Sequence, residues 1–149
     1  MASTRIVLWV ANALIFYPKM EVKTMSIQES GEMYLETILI LSKKNNVVRA
    51  IDIAEHMGYS KPAVSRALAK LREDKLIITD RDGYIAFTEN GRLLAEKVYH
   101  KHVLLTKFIM HLGVDEETAS ADACRIEHVI SDKTFEAMIE HAKMGQKYT

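Results

Sequence analysis

The sequence predicts a mainly α chain, with a winged helix-turn-helix followed by an all-helical segment. Three observations carry this. Apolar residues recur at helical spacing through most of the 149 residues. Around residues 76–87 the period drops to about 2, on either side of an Asp-Gly turn. Just ahead of that stretch, Gly58-Tyr59-Ser60 breaks two helical patterns, as the turn of a helix-turn-helix does.

Residues 1–24 form an extension of unassigned role. Ile6 to Tyr17 is apolar apart from Asn12, long enough for a signal-peptide core but too short to span a bilayer. From Ile27 to Lys44, Met33, Tyr34, Ile38 and Leu41 share a stripe that Leu35, Leu39 and Ile40 widen. Lys43-Lys44 closes that helix, where cations favour the C-terminus. A short helix over 50–57 follows, then one over 61–74, with Ser60 as N-cap and Pro62 in the first turn. Strands at 76–79 and 84–87 flank Asp80-Arg81-Asp82-Gly83. Three further helices are expected, over 90–111, 116–130 and 132–143, with Gly113, Asp115, Ser131 and Gly145 as punctuation. The expected organisation is an extension (1–24), a DNA-binding domain (25–95) and a helical domain (96–149).

Composition excludes several classes. At 48% hydrophobic and 27% charged the chain is globular rather than disordered. No apolar run reaches the ~18 residues of a membrane span. Cys124 is the single cysteine, so no internal disulfide exists and a reducing, cytoplasmic setting is expected. Net charge is zero but unevenly placed. Residues 42–75 carry eight basic side chains against four acidic ones, and residues 112–142 carry eight acidic against two basic. Opposite local charges suggest two jobs, or two solvated faces.

The stretch Ile53 to Leu68 meets the needs of a DNA-reading helix pair. Ala54 is small where helices cross, Gly58 permits the turn, and Val64 and Leu68 face inward. The outward face offers Ser60, Lys61, Pro62, Ser65, Arg66 and Lys70. Arg66 suits guanine acceptors, Pro62 a thymine methyl, and Ser65 a base or phosphate. Lys43, Lys44, Lys70 and Arg81 in the wing are candidate phosphate contacts.

A second constellation concerns metal. Cys124, Glu127 and His128 fall at i, i+3 and i+4, one face of a helix, so thiolate, carboxylate and imidazole converge as a first-row transition metal can use. A buried cysteine beside a surface Glu and His is the plainer reading of the triplet alone. Met33 and Glu36, one turn apart on the first helix, and His102 on the fourth enlarge the pool to six ligands.

Glu32 to Ile38, the helix-turn-helix stretch, Lys101-His102 and Cys124 to Asp132 together resemble the metal-dependent repressors of the diphtheria-toxin-repressor and manganese-transport-regulator type. The resemblance covers about residues 27–143. It implies a winged-helix repressor of metal-uptake genes that dimerises through its C-terminal helices. Palindromic operators would be bound only when Fe²⁺ or Mn²⁺ is loaded. By position, Met33, Cys124, Glu127 and His128 match the iron-type primary site, while Glu36 and His102 match the manganese type. Thr106 and Ser120 stand where the iron branch has a Glu and a His of an ancillary site, and the chain ends before that branch's SH3-like domain, a shortness that resembles the manganese regulators. Metal is expected to clamp the two lobes and set the recognition helices roughly 34 Å apart. Sulfur ligands tilt the ion towards Fe²⁺. The alternatives are a metal-independent winged-helix regulator with a small-molecule effector and, less favoured, a small metalloenzyme, for which no HExxH or phosphate-cradling loop is present.

Overall fold

The structure, a computed structural model, describes residues 29–144. The apolar stretch 6–17, the helix start at 27–28 and Gly145 lie outside the described residues. Among the described residues, six helices and one hairpin run in the order α1 (Glu29–Lys44), α2 (Ala50–Met57), α3 (Lys61–Glu73), β1 (Ile77–Thr79), β2 (Ile85–Phe87), α4 (Glu89–His111), α5 (Glu116–Ile126) and α6 (Asp132–Met144). Among the described residues, the chain separates into two compact units, one ending at Tyr99 and the other starting at His100. The division falls inside α4, four residues beyond the boundary expected from sequence.

The first unit is built on α1. Its stripe of Tyr34, Leu35, Ile38, Leu39 and Leu41 is buried with Ile53, Ala54, Val64, Leu68 and Leu71 from α2 and α3. Each fully buried Leu or Ile contributes roughly 1.5–3 kcal/mol of transfer free energy. The turn between α2 and α3 uses Gly58 at φ 67°, the left-handed region, with its N–H donating to the Ala54 carbonyl. Ser60 then caps α3, its Oγ accepting the Ala63 N–H at 3.3 Å. Just past the end of α3, Lys75 is a non-glycine residue at φ 57°, and the Leu76 N–H closes the helix on the Leu71 carbonyl at 2.9 Å.

The wing is an antiparallel pair, Ile77 opposite Phe87 and Thr79 opposite Ile85. Asp80 organises its turn by accepting the N–H groups of Asp82 and Tyr84, each at 2.9 Å. Two contacts fix the hairpin to the helices. The Ile85 N–H donates to the Val48 carbonyl at 2.8 Å, ahead of α2. Thr88 caps α4, accepting the Gly91 N–H and donating to the Lys75 carbonyl at 2.7 Å. This brings α4 so close to the strand that a Cβ on Gly91 would collide with the Leu76 backbone.

The second unit packs Leu104 and Leu105 of α4 against Ala123 of α5 and Phe135 and Ile139 of α6. Asp115 caps α5, and the Thr118 N–H it accepts holds its carboxyl below the usual range. Ser131 caps α6 through the Thr134 N–H at 3.2 Å. The expected helix over 116–130 is shorter here: α5 ends at Ile126, and residues 127–129 form a turn. An i→i+3 bond from the Val129 N–H to the Ile126 carbonyl tightens the chain before the Ser131 cap. Among the described residues, no helix is long and apolar enough to cross a membrane.

Gly91→Ala should cost about 3 kcal/mol or more, because backbone rather than a flexible side chain must move. Urea unfolding measures this, and a midpoint equal to wild type would refute the close approach.

Candidate metal centre and nucleic-acid interface

Four of the six expected ligands come together within the second unit: His102, Cys124, Glu127 and His128. Cys124 is in the last turn of α5. Although α5 ends two residues later, Glu127 keeps right-handed helical angles, φ −58° and ψ −29°, and its N–H still bonds the Ala123 carbonyl at 2.9 Å. The extra turn preserves the i, i+3, i+4 convergence, and the donor atoms of Cys124, Glu127 and His128 lie within 4.8 Å of one another. Ala119 and Ala123, fully buried, let α5 pack closely within the unit.

Glu127 is the centre of the group. It is 1% exposed, and burying a carboxylate costs several kcal/mol unless donors or cations offset it. Its Oε2 lies 2.7 Å from His102 Nδ1 and its Oε1 3.1 Å from His128 Nε2. Both His side chains are largely buried. The shorter of these two separations is a hydrogen bond. Both separations also match adjacent ligands on an octahedral ion, which lie about 3 Å apart for bonds of about 2.1 Å. A thiol, a carboxylate and two imidazoles therefore fit a borderline divalent transition metal in both chemistry and spacing. Beside them, Lys101, 8% exposed, reaches Asp132 at the start of α6 at 3.0 Å and fixes α6 to α4.

Met33 and Glu36 belong to α1 in the first unit, where Glu36 is buried and Met33 half-buried.

The expected DNA-contacting residues lie on the first unit. Lys61, Pro62, Ser65 and Arg66 are exposed on the opening turns of α3, and Ser60 is exposed as its cap. A shallow depression is lined by Ala50, Ile51, Lys61 and Ser65. Lys43 and Lys44 end α1, Lys43 Nζ lying 3.8 Å from the centre of the Tyr99 ring. Arg81 is exposed at the wing tip. Lys70 is different, because its ammonium is held by Glu73 at 3.3 Å and Asp74 at 3.1 Å, and those carboxylates raise its pKa. Two contacts could not be read from sequence. Arg49 donates to the Tyr84 hydroxyl at 2.7 Å and covers its ring, joining α2 to the wing. Ser120 Oγ lies 3.3 Å from His102 Nε2. Neither has a local sequence signal, since both contacts depend on tertiary pairing.

Comparison with known proteins agrees with this division of labour. Residues 26–85 match the family described as iron dependent repressor, N-terminal DNA binding domain. Residues 88–146 match iron dependent repressor, metal binding and dimerisation domain. The chain is similar to the diphtheria toxin repressor of Corynebacterium diphtheriae, with 33% identity over 116 residues, 77% of this chain and 51% of that protein. It is 31% identical over 102 residues to the HTH-type transcriptional regulator MntR of Geobacillus kaustophilus, covering 68% of this chain and 72% of that one. The solved structure of the manganese regulator SloR superposes with a TM-score of 0.64 at 31% identity, covering 84% of this chain and 56% of that chain. The chain thus spans about half the length of the diphtheria toxin repressors it matches.

If this cluster holds the ion, Glu127→Gln, which keeps the shape but removes the charge, should weaken Mn²⁺ binding by on the order of 100-fold. Calorimetric titration checks this. Wild-type affinity in the variant would remove Glu127 from the centre.

Proposed function

The chain belongs to the iron-dependent repressor family, and from that premise we propose that it is a transcription regulator gated by Fe²⁺ or Mn²⁺. Loaded with metal, it binds palindromic operator DNA as a homodimer formed through the C-terminal helices, and it represses genes of metal uptake in the cytoplasm. The observation that carries this reading is the convergence of His102, Cys124, Glu127 and His128 in a chain whose other unit exposes Lys61, Pro62, Ser65 and Arg66 on a capped recognition helix. Met33 and Glu36 stay in the proposed ligand set on the strength of the family resemblance.

A bound divalent ion supplies the positive charge that lets the Glu127 carboxylate and a Cys124 thiolate share one dry site. The chain's own residues do the rest. His102 Nδ1 holds Glu127 Oε2 by a hydrogen bond, and His128 Nε2 lies beside Oε1. Ser60, Ser65, Pro62 and Arg66 read base edges, while Lys43, Lys44, Lys61, Lys70 and Arg81 meet phosphates. For Lys70 this requires exchanging Glu73 and Asp74 for a phosphate. Sulfur donors at Cys124 and Met33 favour Fe²⁺ as the cellular ion. Since the family is one of repressors, the metalloenzyme reading is set aside.

The test is selection from a pool of random duplex DNA by the full chain with anaerobic Fe²⁺, with Mn²⁺ and with chelator. The expected result is enrichment of a palindrome only with metal, Fe²⁺ acting at the lower free concentration. Equal enrichment under chelation would favour the metal-independent regulator. On the selected duplex, Arg66→Ala should cost about 1–3 kcal/mol and relax preference at one base position. Lys44→Ala should weaken all sequences alike and reduce the salt dependence by about one unit of slope. If Arg66→Ala weakens all sequences equally, Arg66 is a phosphate contact.

A further inference from the structure

Position 102 is surrounded by two hydroxyls that the metal-binding reading leaves without a task. Thr106, one turn along α4, uses its Oγ1 to donate to the His102 carbonyl at 2.8 Å. Ser120, one turn before Cys124 on α5, places its Oγ 3.3 Å from His102 Nε2. His102 turns its other nitrogen, Nδ1, to Glu127 at 2.7 Å. The imidazole therefore has one edge on the buried carboxylate and the other on a half-buried hydroxyl of the same helix that carries Cys124.

We infer that Ser120 is a positioning residue of the metal centre: its hydroxyl fixes the ring orientation and proton location of His102 so that Nδ1 faces the Glu127 side. This deepens the metal-gated reading and rests on it. A neutral imidazole has one N–H and one lone pair, and the two nitrogens must be matched with an acceptor and a donor respectively. A hydroxyl can be either partner. When the Nδ1 proton donates to the Glu127 carboxylate, the Ser120 O–H donates to Nε2. Ligation through Nδ1 instead requires the proton on Nε2, and Ser120 Oγ then accepts it. A ligating histidine whose other N–H is satisfied in this way keeps its orientation and basicity. Alanine at 120 removes both options and leaves Nε2 without its hydroxyl partner, weakening the hold on the ring's orientation. Threonine keeps the hydroxyl. Thr106 contributes only to the backbone of His102, so its hydroxyl is not interchangeable with that of Ser120.

The test uses the full chain in four forms: wild type, Ser120→Ala, Ser120→Thr and Glu127→Gln. Each is titrated anaerobically with Co²⁺, following the visible d–d and thiolate charge-transfer bands, and with Mn²⁺ by calorimetry. The expected result is that Ser120→Ala lowers affinity about tenfold and shifts the d–d bands. Ser120→Thr should restore both, with the metal-free melting temperature the same in all Ser120 forms. Wild-type affinity and bands in Ser120→Ala would overturn the positioning role while leaving the metal centre standing, provided Glu127→Gln still loses binding. A Ser120→Ala defect accompanied by a lowered metal-free melting temperature and no rescue by threonine would make Ser120 structural and equally overturn the inference. Absence of metal binding in the wild type would overturn the metal-gated reading itself.

Discussion

The second unit is organised around a buried carboxylate. Glu127 has almost no solvent exposure, and its oxygens stand 2.7 and 3.1 Å from two imidazole nitrogens. A carboxylate in a dry interior is tolerated only when positive charge or several donors offset its lost hydration. Much of the surrounding architecture serves that requirement. Ala119 and Ala123 allow close packing of α5, the extra helical turn at Glu127 aligns Cys124 with His128, and Lys101 ties α6 to α4 beside His102. A divalent cation held by these donors would convert an electrostatic cost into an attraction, which links stability of the centre to metal supply.

The first unit solves a different problem, presenting a rigid polar surface. Exposed residues at the start of α3 can read DNA only if the helix is fixed. The Gly58 turn, the Ser60 cap and the Val64–Leu68 contacts to the core accomplish this. The wing is a pair of three-residue strands, too small to stand alone in water. It is held at both ends, by the Ile85–Val48 backbone bond and by Thr88 bridging the Lys75 carbonyl and the first turn of α4. Arg49, stacked on Tyr84, adds a third attachment.

Much of this was legible in the sequence because the signals are local. Helical periodicity, Ser60 and Asp115 as caps and the Asp-Gly hairpin each act within a few residues, and the structure has all of them. The 116–130 helix was overestimated because Val129 and Ile130 continue an apolar pattern. The chain instead tightens through the bond from the Val129 N–H to the Ile126 carbonyl just before the Ser131 cap. Gly91 under the Leu76 carbonyl was invisible because it answers to a neighbour distant in sequence, while Lys75 takes the left-handed helix-end position without the glycine that usually marks it. At the candidate metal centre, residue types and spacing pointed to Cys124, Glu127 and His128 with His102 in the wider pool, and the structure sets His102 against Glu127. The role of Ser120 emerges only from the packing of α5, since a lone serine carries no motif.

The central claim is that metal occupancy and DNA binding are one linked equilibrium. Linkage is reciprocal, so an ion that tightens DNA binding must itself bind more tightly when DNA is present, by the same factor. The direct measurement is the Mn²⁺ dissociation constant of the full chain, with and without the palindromic duplex selected by the metal-loaded protein. Mn²⁺ should bind more tightly on DNA, by on the order of 100-fold, which corresponds to about 2.7 kcal/mol of coupling. Equal Mn²⁺ affinity in the presence and absence of that duplex would contradict it.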